Sequence, residues 1–308
     1  MGLETLYEYD RYAPLGNSGK VFTFPEAKDI VLAAYGNFSP KMAEVAEEFF
    51  QKNWIDATVR KGKRSGAFCA SCDPRHHAYV LTNYLGTDRD VSTLAHELGH
   101  GVHAQLSRGN NFFNYDTPLT TAETASVFGE MLVFEDLKNK ASSDREKMIL
   151  IMGKVEEMIA TVFRQIAMFR FEQKMHYTYR EKGRIPLKDL NKWWVEEQQA
   201  MFGKSLVITE DHGYWWMYIH HFLAHFYVYA YHFGELLTLS FYKMYKAGAP
   251  NFEDRYIALL SAGGSSSPNE LLGDFGINPA DKKFWEGGIG VMKELLEEAE
   301  NIAKKLSL

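Results

Sequence analysis

A mainly α-helical fold with a small β-sheet follows from three features of this 308-residue chain. Apolar residues recur at helical spacing through most of it. One stretch is rich enough in β-branched and aromatic residues to make a convincing strand. Glycine and proline punctuate the helical stretches rather than closing a series of hairpins. Taken in order, Ser39-Pro40 offers an N-cap followed by proline in the first turn, after which Met42, Val45, Ala46, Phe49 and Phe50 mark one helix face. The best strand lies at 77–84 (HAYVLTNY), closed by Leu85-Gly86, and a weaker one at 57–60 leads into KGKRSG. Further helices are expected over 90–107, 120–137, 144–182, 187–202, 214–247, 252–262 and 280–306, with Gly183, Gly263-Gly264 and Pro279 as breaks. No internal repeat or linker divides the sequence, so residues 1–308 are expected to form a single domain.

Composition narrows the function. Hydrophobic residues make up 46% and charged residues 24%, the balance of a globular protein. A net charge of −6 gives no basic footprint for nucleic acid. Two cysteines are too few for a disulfide scaffold, which points to an intracellular, cytoplasmic setting. The amino end carries acidic residues and no apolar core, so no secretory signal is expected there. From 213 to 234 no Asp, Glu, Lys or Arg occurs, but four histidines and five tyrosines do. Polar rings at that density are costly in lipid, so the segment is expected to be a buried, polar-lined helix and not a membrane span.

Residues 96–100 read His-Glu-Leu-Gly-His. Two histidines four apart on a helix are separated by about 40° and about 6 Å, so both imidazoles leave the same face. They can fill adjacent corners of a tetrahedral Zn²⁺ site. Glu97 lies about 100° round, placed to take a proton from a metal-activated water without ligating the metal. This is the chemistry that the HExxH pattern serves. Leu94, Leu98, Val102 and Leu106 mark the opposite, apolar face of the helix. His103, one turn on, reads as a support behind the ligands or as structural.

A catalytic zinc needs a third protein ligand and an open position. Position 106, where an extended histidine pattern would place it, is leucine. The next helix offers Glu123, Glu130 and Glu135 in TTAETASVFGEMLVFED. Glu123 and Glu130, seven apart, share a face. Glu123 is favoured by its small neighbours Ala122, Thr124, Ala125 and Ser126, and Glu130 could instead hold a ligand histidine from behind. Spacing alone leaves both open.

AHELGHGVHAQLSR followed by AETASVFGEM resembles the oligoendopeptidase F branch of the thimet-oligopeptidase family of zinc metallopeptidases. KGKRSGAF, LTNYLGTDRDVSTLAHE, FRQIAMFRFE, FYVYAY and LLSAGGSSSPNELLGDFGI match further family segments in order, so the likeness covers nearly the whole chain. The resemblance implies a zincin-like helical metallopeptidase catalytic domain whose small sheet lies next to the HExxH helix. It implies one Zn²⁺ held by His96, His100 and Glu123, with Glu97 as the catalytic base. It also implies oxyanion donors from YIHHFLAHFYVYAYHFG: His221 matches the histidine of the family's I-P-H-F pattern, with His220 in place of proline, and Tyr227 and Tyr229 match its Tyr-x-Tyr pair. Tyr227 and Tyr231 are as readily read as core packing.

The implied activity is zinc-dependent cleavage of internal bonds in short peptides. The strand at 78–84 is expected to align them through its main chain. Members of the family are near twice this length. The chain matches their carboxy-terminal half, so the amino-terminal lobe is expected to be absent and a separate lobe or a second copy to be a partner. Two other readings stand beside it: a zinc carboxypeptidase on a similar helical scaffold, and a zinc-stabilised helical binding module without turnover. Cys69-Ala-Ser-Cys72, near His76 and His77, reads as two free thiols more readily than as a second metal site or a redox pair.

Overall fold

The computed structural model describes residues 3–11, 13, 16 and 19–307. Its elements run α1 (Phe24–Phe38), α2 (Pro40–Gln51), β1 (Ile55–Asp56), β2 (Phe68–Ala70), β3 (Tyr79–Leu81), α3 (Asp88–Leu106), α4 (Phe112–Tyr115), α5 (Thr124–Asn139), α6 (Asp144–Ile159), α7 (Gln165–Lys182), α8 (Leu187–Phe202), α9 (Tyr229–Lys246), α10 (Phe252–Ala262), α11 (Pro268–Gly273) and α12 (Lys282–Leu306). The fold is mainly helical with one three-stranded sheet, as expected. Contacts divide the chain into two units, one of Ser18–Val155 with Gly234–Leu308, the other of Met1–Asn17 with Glu156–Phe233. No helix among the described residues is long and apolar enough to cross a membrane.

In the first unit α3 lies against α5, and the contact is backbone on backbone. A Cβ at Gly99 would fall 2.5 Å from the Ala125 carbonyl oxygen and 2.5 Å from Ser126 Cα, so only glycine permits this approach. The apolar face of α3 is fully buried at Leu94, Leu98 and Val102, and Phe49, Phe128 and Tyr256 of the same unit are fully buried too. Two buried tyrosines tie the helices from outside. Tyr35 donates to the Ala95 carbonyl at 2.5 Å and Tyr256 to the Thr124 carbonyl at 2.8 Å. The start of α3 is fixed by a capping box in which Thr87 and Asp90 exchange hydrogen bonds.

The sheet runs β1-β3-β2, with β3 parallel to β1 and antiparallel to β2. This corrects one expectation. At Tyr79–Leu81 the strand has no free edge for a peptide, because Val80, Thr82 and Tyr84 donate to Trp54, Asp56 and Ala57 on one side, while Tyr79–Leu81 pair with Phe68–Ala70 on the other. The edge on the second side belongs to β2. The weaker strand also shifts, from 57–60 to Ile55–Asp56. The buried Lys63 ammonium holds the turn after it, donating to the carbonyls of Asp56, Thr58 and Thr82.

In the second unit Met168, Phe171, Trp194, Ile219 and Val228 form an apolar cluster packed by Trp215, Trp216 and Phe222. The expected helix over 144–182 is interrupted by a π turn at Ala160–Arg164. The helix expected over 214–247 starts only at Tyr229. Before it come 3₁₀ turns at Glu210–Tyr218 and His220–Leu223, then Phe226 at a left-handed φ of 59°. Consecutive bulky rings lose side-chain freedom in an α-helix. The looser turns let Trp216 donate to Asn191 at 3.0 Å while the rings pack on Phe171. α1 and α11 lie outside the expected elements, although Thr23/Glu26 and Ser267/Glu270 spell capping boxes for them.

Candidate metal centre

His96 and His100 emerge from one face of α3 with ring centres 5.0 Å apart. Glu123 stands at the N-cap of α5, brought there by the close approach at Gly99. Its Oε2 lies 3.4 Å from Nε2 of His96 and 3.4 Å from Nε2 of His100. For bonds of about 2.0–2.1 Å, the edge of a tetrahedron is about 3.4 Å. The three ligand atoms therefore fit a zinc ion, and each of the three residues is partly exposed. Ser126 donates to the same Glu123 oxygen at 2.7 Å, fixing the carboxylate. Gly234 of α9 packs against the stem of Glu123 so closely that a Cβ there would fall 2.9 Å from that of Glu123.

Glu130, one of the two carboxylates that spacing left open, stands on the other side of His96. Its Oε2 is 3.2 Å from Nδ1 of that ring, and its Oε1 accepts from Lys154 of α6 at 2.5 Å. A carboxylate on the far nitrogen fixes the tautomer that presents Nε2 to a metal. Lys154, which the sequence did not single out, is almost wholly buried. Glu135 is elsewhere, paired with Lys138.

The electrostatics are those of a group that could hold a cation. Burial opposes ionisation of Glu123, but the imidazoles of His100 and His96 outweigh it and hold the carboxyl far below its usual range. Burial likewise disfavours the charged form of His96, yet Glu123 and Glu130 raise its proton affinity well above normal. A metal bound there would have to displace a proton, and would bind more weakly in acid. Glu97 is buried, which raises its pKa, while His96 and His100 lower it and the Cys69 N–H of β2 donates to it. A carboxyl so tuned titrates nearer neutrality than a solvated one. Burial takes His103 down to about 3, as a neutral ring bonded to Thr117 at 3.2 Å.

The tyrosine- and histidine-rich segment belongs to the second unit. Nε2 of His221 lies 3.1 Å from the Tyr231 hydroxyl, and His221, Tyr227 and Tyr231 form a ring cluster with centroids 5.5–5.8 Å apart. Tyr229, at the start of α9, packs on Phe169 instead. The partner of His221 is thus Tyr231, a residue that the sequence leaves open between core packing and a place in the site. Burial lowers the pKa of His221, reinforced by Arg164 and His220, so its ring is neutral at pH 7 and keeps an N–H to donate. Burial and Glu97 push the Cys69 thiol up to about 12, and Cys72 is exposed. His77 stacks on Trp54 and His76 pairs with Asp73, so these four side chains do not form a metal cluster.

The sequence profile of Peptidase family M3 matches residues 23–291. Oligopeptidase PepF of Bacillus subtilis is 29% identical over 307 residues, which cover 99% of this chain and 46% of that protein. An oligoendopeptidase F homolog of Borreliella burgdorferi is 32% identical over 305 residues, covering 97% and 51%. Among solved structures, a putative peptidase from Chlamydophila abortus superposes with a TM-score of 0.85 at 28% identity, covering 97% of this chain and 50% of that one. The chain spans about half the length of the curated relatives it matches.

Proposed function

The chain belongs to peptidase family M3, and from that premise we propose that it is a zinc metalloendopeptidase that hydrolyses internal bonds of short peptides. The observation that carries the reading is the single Glu123 oxygen 3.4 Å from both histidine Nε2 atoms. Zinc held by His96, His100 and Glu123 would supply Lewis acidity toward a water and toward the scissile carbonyl. Glu97 takes a proton from the attacking water and delivers it to the leaving amine. Its raised pKa suits the first task, since a more basic carboxylate takes the proton of water more readily. Glu130 and Ser126 hold His96 and Glu123 in orientation. His221, Tyr229 and Tyr227 are the proposed donors to the developing oxyanion, His221 as a neutral N–H.

The proposal takes the whole chain as one catalytic domain, in the cytoplasm, where free thiols such as Cys69 and Cys72 persist. It acts on peptides with a separate amino-terminal lobe or a second copy as its partner. The names of the relatives support peptide substrates.

The test is digestion of a mixed peptide pool, with the metal content of the protein measured alongside. Internal cuts that stop with a chelator and return with zinc are expected. One-residue ladders from the carboxyl end would instead indicate a carboxypeptidase. One zinc per chain with no cleavage, even with an added amino-terminal lobe, would leave a metal-stabilised binding module.

A further inference from the structure

A second group of metal-ligating side chains lies wholly within the unit that contains α7. Glu172 and His176 are four residues apart on that helix, which sets them on one face a turn apart. His225 comes from the segment before α9, its ring 5.2 Å from that of His176. One ligand atom from each of the three residues lies within 4.8 Å of the others.

Glu172 makes this more than a chance cluster. Its side chain is fully buried, with a relative exposure of 0%. One oxygen accepts the Phe226 N–H at 2.8 Å and lies 3.8 Å from Nε2 of His176. The other oxygen, Oε2, is buried without a hydrogen-bond partner. A buried carboxylate oxygen left unsatisfied costs free energy that a solvated one does not. Burial raises the pKa of the group, and the Phe226 N–H, His176 and His225 offset this only in part. The backbone is also shaped around it, since Phe226 takes the left-handed conformation while giving its N–H to Glu172.

We propose that Glu172, His176 and His225 form a second divalent-metal site that takes zinc or a metal of similar preference. One carboxylate and two imidazoles suit zinc, whereas Mg²⁺ and Ca²⁺ prefer all-oxygen sets. The cation would satisfy the orphaned oxygen and balance the buried charge. Ligand atoms around zinc sit about 3.4 Å apart, so the group must tighten by up to about 1.4 Å. Exposed His225 can supply that movement by rotating its side chain. The site shares no ligand with His96, His100 and Glu123, and it stands whether or not the chain is a peptidase. Its consequence is local: the metal would tie to α7 the segment that also bears His221 and Tyr227.

Equilibrium dialysis of the full chain against Zn²⁺, read by elemental analysis, tests it. The unsubstituted chain is expected to bind two equivalents and the His96→Ala/His100→Ala variant one. His225→Ala, an exposed position whose loss leaves the fold intact, should weaken the remaining equivalent at least tenfold, and Glu172→Gln should do the same. Co²⁺ titration gives a second readout, because His225→Ala should remove one of two sets of d–d bands. The proposal is overturned if the double variant binds no zinc, or if its zinc is indifferent to His225→Ala. Zinc bound by the double variant but absent from the first centre of the unsubstituted chain would sink the peptidase reading and leave this one standing.

Discussion

Lys154 and Glu130 form an ion pair of 2.5 Å, with side-chain exposures of only 4% and 5%. Because the second Glu130 oxygen faces Nδ1 of His96, the pair connects α6 to the proposed zinc ligands. Removing one partner of a buried pair leaves the other charge uncompensated, typically at about 3–5 kcal/mol. Lys154→Met is therefore expected to lower unfolding stability by about 3 kcal/mol in urea. Glu130→Gln keeps the shape but not the charge, and should weaken zinc binding about 10–100-fold in a competition titration.

Glu97 is the proposed base, beside the proposed ligands but not one of them. Glu97→Gln should retain zinc at the level of the unsubstituted chain by elemental analysis, while kcat falls by about 10²–10⁴-fold. Full turnover in that variant would refute the assignment of the base.

Gly99 decides whether Glu123 reaches the histidines. Gly99→Ala puts a methyl group 2.5 Å from backbone atoms of Ala125 and Ser126. Overpacking of this kind costs about 1–3 kcal/mol, which a lower urea midpoint at unchanged m would report. Zinc affinity should drop with it. Gly109→Ala, with nothing within 4 Å, is the control and should leave zinc affinity unchanged.

His103 makes the metal-free fold sensitive to mild acid. Its folded pKa is down to about 3, from an ordinary value of 6.5, because burial disfavours the charged ring and His100 adds to this. The unfolded chain takes up a proton below 6.5 that the folded chain refuses, so the contribution is intact above that pH and lost as pH falls toward 3. Between pH 7 and 5 this single group should remove about 2 kcal/mol. Urea unfolding at both values should show His103→Gln losing correspondingly less. Equal losses in the two proteins would place the titrating group elsewhere.

Much of the fold was legible because helix signals are local. The apolar rows of α3 and α12, the Ser39-Pro40 start of α2 and the bounds of α8 and α10 all lie within a few residues of sequence. The capping boxes of α1 and α11 carry the same kind of signal. The aromatic run before α9 resisted, because its period suits a helix while its crowded rings do not.

By itself the sequence determined that His96, Glu97 and His100 share one helical turn, since 3.6 residues per turn fixes their directions before anything else folds. Tertiary structure decided what meets them. Glu123 rather than Glu130 faces both Nε2 atoms because α5 crosses α3 at a glycine. Lys154 lies 24 residues from the carboxylate it balances. β3 is central rather than an edge, and Tyr231 rather than Tyr229 meets His221. Each of these depends on how separate backbones approach, which no short-range period encodes.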